Sequence, residues 1–555
     1  QKRARWKKGM ALSWREFRMN TTLWRSAFKR IEGHFGAGVV MYFKFLKWMF
    51  QLNILLFLLV LLFLVLPEAL LTDNMNVSSS AVELVVDFLQ GTGWMEKTVM
   101  FYGDYSDQTL AAFANWNYNM PLANIVIIAA IFLVSLLVMV HNTARGFREQ
   151  MFAQDDASRN YGNKVFSAWD FSMEDPKNSL LRQKSNHWSF ISLLEQERYL
   201  EKIKGRTTKE KCKLWSVRIL INFIVLCFLG GGAYLIYFAT TKTTESSDFS
   251  TYSFFLQLLI GYAVSLTITV LNSTLPALFK FLVKFEDYSA AWMLNMTLIR
   301  TVFLRLASLT MLVITLYTEI TCVPQDSCGC WETKVGQELY KLVITDFLVV
   351  VGVTFLVEFP RKFLVTKCKI FKMVGQQQFD ITKNVLDLIY GESLLWLGTF
   401  FCPMIPIITV IKNFFVFYIK QATVLVNYAP SQVAVVASDA ESFFLIVLLA
   451  TFCVTAIPIL YIVFRMSPSK SCGPYRIYDT VYDILPIAME GFPPVIKEIC
   501  DWLFSAMILI PLFIVLCLLI YYKGQMATSY KEMIGKLREQ LLMEGHDKHF
   551  LMKQV

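Results

Sequence analysis

The sequence predicts an all-α polytopic membrane protein with ten transmembrane helices, and three observations carry that expectation. Apolar segments of the roughly 20 residues needed to cross a bilayer recur along the chain. Hydrophobic residues make up 55% of the 555 residues and charged residues only 17%, against about 25% charged in soluble domains; mean hydropathy is +0.47. Lys and Arg gather on alternate sides of the apolar segments, as the positive-inside rule requires of a multi-pass chain.

Residues 1–47 hold twelve Lys and Arg against Glu16 and Glu32, which places this N-terminal region in the cytosol. Within it, Trp14 to Phe28 sets Phe17, Leu23, Trp24 and Phe28 among Arg15, Arg18, Arg25 and Lys29. That pattern suits a helix lying on an anionic leaflet, with a packed cytosolic bundle as the alternative. Residues 48–141 contain the first two spans, Trp48–Leu66 and Leu122–Val140. The loop between them, Pro67 to Pro121, carries one basic residue, Lys97, and the glycosylation sequon Asn76-Val77-Ser78, so it faces outward. Residues 142–213 form a basic cytosolic loop with a second amphipathic stretch, Trp188 to Ile203, for which leaflet and bundle are equally open.

Residues 214–425 supply spans three to eight: Leu214–Ala239, Phe254–Val283, Trp292–Tyr317, Leu339–Leu364, Val385–Cys402 and Met404–Leu425. Only Pro403 and its neighbours part the last two, so one broken hairpin is the other option. Residues 426–522 give spans nine and ten, Phe443–Phe464 and Trp502–Tyr522, and residues 523–555 a cytosolic C-terminal helix. Both termini then face the cytosol, in the plasma membrane or an endomembrane. The chain opens at Gln1 without a cleavable signal pattern and reads as a trimmed piece.

Enzymatic signals are nearly absent. Of five histidines only His546 and His549 are close, in a polar tail, which is weak evidence for a metal. Gly33, Gly36 and Gly38 follow no strand, and no P-loop or nucleophile elbow occurs. No catalytic residue, metal or cofactor is expected, and bound lipids are. The basic residues flank spans, which argues against nucleic acid. Cys322, Cys328 and Cys330 cluster in one outer loop and suit a disulfide with an odd thiol, for which Cys472 is a further partner; zinc is the alternative.

Polar groups concentrate in spans four to eight: Thr267, Thr269, Asn272, Ser273 and Thr274 before a kinking Pro276; Asn295, Arg300 and Arg305; Thr345, Asp346, Thr354 and Glu358; Asp387, Glu392 and Thr399 after Asp380; Lys412, Asn413 and Lys420. Charges confined to consecutive spans suggest that these helices line one wet cavity. Asp346 is the costliest, at roughly 2.5–3.5 kcal/mol on insertion scales. It either lines a water-filled path or is neutralised by Arg305 or Lys412 in a sealed pair. Glu358 reads as interfacial, and Arg300 and Lys420 as side chains that snorkel to the inner surface.

Cys330-Trp331-Glu332-Thr333 followed by Val335-Gly336-Gln337-Glu338 resembles the signature of the transmembrane channel-like (TMC) family. Phe35-Gly36 through Tyr42-Phe43, Trp169-Asp170-Phe171, Glu286-Asp287-Tyr288, Phe379-Asp380-Ile381, Trp396 to Pro406 and Ser471-Cys472-Gly473-Pro474-Tyr475 are similar to further blocks of that family, in order along nearly the whole chain. The resemblance implies ten helices in a TMEM16/OSCA-like arrangement, a homodimer with contacts near the last helix, and one pathway per protomer framed by helices four to eight. It implies an EF-hand partner of the calcium-and-integrin-binding type on the 142–213 loop, where Trp169, Asp170 and Phe171 lie. Asp346 and Asp380 match acidic positions linked to permeation in auditory members, whose channel passes cations. Where those members have a hydroxyl-rich turn, this chain has Val349-Val350-Val351, so it resembles a non-auditory member. The expected function is a pore-forming, cation-permeable, mechanically gated channel subunit lined by Asp346, Thr345, Val350, Thr354, Asn272, Thr269, Arg305, Asp380, Glu392, Thr399 and Lys412. A lipid scramblase with a membrane-open groove and a non-conducting scaffold or modulator are the alternatives.

Overall fold

A computed structural model gives the architecture. It describes residues 24–35, 37–71, 81–107, 109–113, 116–157, 201–245, 259–288, 290–320, 330–367, 379–428 and 437–490, with Gln377 and scattered residues of 179–199 and 526–552. Asn76, Trp169, Asp170, Phe171, Cys322, Cys328 and the tenth span lie outside the described residues. Residues 1–482 and 483–555 form two compact units.

In the first unit, α1 (Arg25–Phe35) precedes α2 (Ala37–Val60), which continues through a π turn at Leu61–Val65 to Leu71. The segment to the next long helix, a loop by sequence, folds into α3 (Ala81–Gln90) and an antiparallel hairpin of β1 (Thr109–Phe113) and β2 (Trp116–Asn119). Then come α4 (Met120–Ala157), α5 (Thr208–Glu245), α6 (Ala263–Leu282) and α7 (Ala290–Ile320). α8 (Trp331–Gly352) runs through a π turn at Val353–Glu358 into Phe359–Lys367. α9 (Ile381–Phe401), α10 (Ile405–Asn427) and α11 (Ala437–Arg465) follow. The second unit contains the short α12 (Ile484–Glu490). Apart from the hairpin the described chain is helical, and it is a multi-pass membrane protein.

Eight helices among the described residues are long and apolar enough to cross a membrane: those of the first six expected spans, α10 and α11. The seventh expected span is α9, which falls outside that set. It carries Lys383, Asp387 and Glu392 and packs against α2, α4, α7, α8, α10 and α11. A helix enclosed by protein needs less apolar surface than one facing lipid. α9 and α10 are separate helices: the backbone N–H of Cys402 donates to Gly398 O, that of Ile405 to Cys402 O, and Pro406 sits in the first turn of α10.

The described end of the first amphipathic stretch, Trp24 to Phe28, meets protein. The Trp24 ring stacks on Phe417 of α10 with centroids 3.7 Å apart and meets Phe50 of α2 at 5.3 Å. Its indole N–H donates to the Tyr418 hydroxyl at 3.2 Å, and Phe28 meets Phe417 edge-on. The aromatic face of this segment is spent on the bundle rather than on headgroups. Trp24 holds φ at 63°, a left-handed conformation costly for a bulky residue, and the ring contacts offset that cost. The described end of the second amphipathic stretch also docks on protein: Tyr199 donates to Asp287 O, and Lys202 and Arg206 pair with the Asp287 carboxylate.

At the other end of the bundle, Cys330 is bonded to Cys472, so the free pairings left open by sequence close between α8 and the chain after α11. Cys330, Glu332 and Cys472 lie together, but the two sulfurs bind each other rather than a metal. Glu332 accepts from Ser469 N–H at 2.7 Å and from its hydroxyl at 2.5 Å. Gly473 has φ +79°, and a Cβ there would fall 2.1 Å from the Tyr102 ring, so only glycine closes this corner. Arg476 forms an ion pair with Asp107.

The disulfide joins residues 142 apart, and constraining so long a loop is worth about 2–5 kcal/mol. The double variant Cys330→Ser/Cys472→Ser should therefore melt well below the wild type in detergent, and reductant should lower the wild-type melting point alone; equal melting points would contradict this. The Arg476 guanidinium holds the Asp107 carboxyl below its ordinary value. Its stabilising effect is complete above the ordinary aspartate value of about 4 and is lost as pH falls through the depressed folded value. Asp107→Asn should thus be less stable than wild type at neutral pH, and the gap in melting temperature should close in acid below about pH 4.

Candidate functional site

Asp346 and Val350, four residues apart, share one face of α8, and Thr354 and Glu358 follow in the π turn. Lys412, Val416, Lys420, Val424 and Asn427 form the matching stripe of α10. Two contacts fix their register. Lys412 Nζ pairs with Asp346 Oδ2, and Tyr428 donates its phenol to Glu358 Oε1 at 2.6 Å. Both partners advance in the same direction, so α8 and α10 run parallel with facing stripes. Gly391 of α9 makes room for the first pair: a Cβ there would sit 3.1 Å from Lys412 Nζ. The Lys412 side chain is only 7% exposed and that of Asp346 21%. Asp346 is paired with Lys412 rather than Arg305, and its carboxylate stays partly exposed.

Arg305 is taken by α9. It donates to Asp387 Oδ1 at 2.6 Å and to Leu386 O at 2.6 Å, and its guanidinium lies over the Tyr390 ring at 5.1 Å. Arg300 donates to the fully buried Glu286 at 2.6 Å and to Asn222 at 2.7 Å, so it is an internal tie between α5 and the turn after α6 rather than a snorkelling side chain. Lys420 is 9% exposed, and among the described residues no hydrogen-bond acceptor or ion-pair partner reaches it.

The remaining expected residues divide into two groups. Thr345 and Thr354 are buried with unpartnered hydroxyls, Val350 is half-buried, and Asn272 is buried on α6. Thr269 donates to Ser265 O within its own helix. Three others are placed differently. Glu392 is enclosed between α2 and the Lys412 turn of α10, accepting from Asn53 at 2.7 Å and from Asn413. Thr399 is buried and donates to Leu395 O. Asp380 is an exposed N-cap of α9, accepting from Lys383 N–H at 3.1 Å with Lys280 at 3.7 Å. Sequence inspection missed Asn53, Asn222 and Tyr428 as partners. The one available signal was an amide within an apolar span, as at Asn53.

Known proteins align with this chain over almost its full length. A family model described as the TMC domain matches residues 330–438, which include the Asp346–Lys412 pair. A Mus musculus protein named voltage-gated chloride channel TMC4 is 32% identical over 567 residues, covering 96% of this chain and 80% of its own length. The Homo sapiens protein of that name is 31% identical, covering 96% and 78%. Homo sapiens transmembrane channel-like protein 8 is 29% identical, covering 96% and 77%.

Removing one partner of the Asp346–Lys412 pair leaves the other charge buried. Asp346→Asn alone should cost about 3 kcal/mol, somewhat relieved by the partial exposure of the carboxylate, whereas Asp346→Asn/Lys412→Met should recover most of it. A double-mutant cycle on detergent melting temperatures measures this, and strictly additive losses would show that the two groups act independently.

Proposed function

The chain belongs to the transmembrane channel-like family, and on that premise we propose that it is the pore-forming subunit of an ion channel that conducts monovalent anions along the seam of α8 and α10. The supporting observation is the charge layout: Asp346 is answered by Lys412, and Lys420 adds a further buried cation on the same stripe. The cation preference expected of a free Asp346 loses its basis once that carboxylate is paired. The relatives named as voltage-gated chloride channels favour an anion as well. A transmembrane potential acts on each buried charge with about 2.3 kcal/mol per 100 mV across the full field, so voltage replaces tension as the proposed stimulus. Within this proposal α9 is the seventh of ten helices and Trp502–Tyr522 the tenth. The disulfide end faces outward and both termini face the cytosol, in a TMEM16/OSCA-like dimer with bound lipids and an EF-hand subunit on residues 142–213.

Purified protein in liposomes under a sodium chloride gradient tests the proposal. The reversal potential should lie near the chloride equilibrium potential. Lys412→Gln, which frees the Asp346 carboxylate, should move the chloride-to-sodium permeability ratio toward sodium by roughly tenfold, equivalent to about 1.4 kcal/mol. A wild-type reversal potential near that of sodium, or transbilayer exchange of fluorescent lipid without ionic current, would defeat the anion-channel proposal.

A further inference from the structure

We propose that Glu392 is a hydrogen-ion binding site: it holds a proton on Oε2 while the seam of α8 and α10 conducts anions, and loss of that proton suppresses conduction. This rests on the conducting seam proposed above and adds the ion that regulates it.

Glu392 lies on α9 and is 1% exposed. Its neighbour Gly391 lets the Lys412 ammonium approach α9, since a Cβ there would sit 3.1 Å from Lys412 Nζ. The groups that act on the carboxyl are Asn53 of α2 and Lys412 and Asn413 of α10. Asn53 Nδ2 donates to Oε1 at 2.7 Å. Glu392 Oε2 and Asn53 Oδ1, both buried, make no hydrogen bond among the described residues. Two acceptors on bonded partners are therefore left without a donor.

The charge balance points the same way. Lys412 is bonded to Asp346 of α8, while Arg305 and Arg300 of α7 are bonded to Asp387 and Glu286. α4 and α11 carry no charged residue over Leu122–Val140 and Phe443–Phe464. Asp346 and Glu392 thus share one ammonium. With both ionised, the cluster holds one negative charge in excess inside the bundle, which is strongly unfavourable. One proton removes it. Asp346 holds the ammonium directly and is 21% exposed, so the proton belongs on the enclosed Glu392. There it turns Oε2 into a donor. An amide and a carboxylic acid joined by one N–H···O bond can close a second, O–H···O bond, and Asn53 Oδ1 is the acceptor left open. Two open oxygens are too few for calcium or magnesium, which take about six oxygen ligands or more.

On ionisation the O–H bond at Oε2 breaks, its electron pair stays on the carboxylate, and the proton passes to water in the seam, where Asp346 is partly exposed. The new carboxylate then competes with Asp346 for Lys412, and the seam gains a negative charge that repels anions.

The test separates proton binding from conduction. In liposomes, wild-type chloride conductance should fall about tenfold between about pH 5 and about pH 9. Glu392→Gln, which keeps the shape and the donor of the acid form, should stay at the acid level throughout. At neutral pH, the infrared difference between wild type and Glu392→Gln should show the C=O stretch of an un-ionised carboxylic acid, moved by transfer into heavy water. If wild type conducts anions while Glu392→Gln keeps the wild-type pH response and the acid band is missing, the proton site is overturned and the channel proposal survives. If wild type carries cations while the acid band is present and is lost in alkali, the proton site survives and the anion-channel proposal falls. Should Glu392→Gln fail to fold, Asn53→Leu decides: an acid band displaced from its wild-type position supports the site, and an unmoved band overturns it.

Discussion

The Lys412–Asp346 pair is the interaction on which the rest of this architecture depends. A carboxylate inside an apolar helix demands an answer, and the answer comes from α10 rather than from a neighbour in sequence. The pair compels α8 and α10 to lie side by side, and Tyr428, just past the end of α10, makes a second tie to Glu358. It also demands space, which Gly391 of α9 supplies. Three helices are thus brought into register by one neutralised charge. The other polar positions of α8 and α10 acquire their neighbours from that register.

α8 is then secured at both ends by different chemistry. At its start the disulfide to Cys472 and the Glu332–Ser469 bonds fix the first turn. Toward its far end, a run of rings leads from Trp24 to Phe417, from Phe417 to Phe43, from Phe43 to Phe379 and from Phe379 to Tyr428, whose phenol holds Glu358. Between the two anchors lie Gly352 and the π turn. Deformation is cheapest where a helix lacks both a Cβ and its regular hydrogen-bond ladder. The segment around Gly352 is therefore its softest part, between a constrained first turn and the bond from Tyr428 to Glu358.

Most of the fold was legible because lipid imposes a simple rule on outward-facing helices, and the helices beginning near Trp48, Leu122 and Leu214 obey it. The rule gave less where helices face protein. α9 is helical where the sequence predicts a seventh span although it carries three charged residues, and its neighbours bond Asp387 and Glu392. Trp24 is the opposite case: basic and aromatic residues look the same whether the rings meet headgroups or, as here, the rings of α10. The candidate site was legible as a set of residues and illegible as a set of pairs. Asp346 singled itself out by cost, but composition could not choose between Arg305 and Lys412. That choice depends on which face of α9 meets α7.

The sign of the seam follows from this pairing rather than from a count of charges along the chain. Arg305 and Lys412 each spend their charge on one carboxylate at hydrogen-bonding distance, and such close pairs present a dipole rather than a net charge to an ion passing further off. An isolated ammonium decays more slowly with distance, and burial spares it the screening that solvent gives a surface lysine. Lys420 and Glu358 are the two charges of these stripes that meet no opposite charge at hydrogen-bonding distance among the described residues, and each acts on the other at longer range. What decides the preference of the seam is how an ion passing along it divides its attraction between that ammonium and that carboxylate, not the Asp346–Lys412 pair.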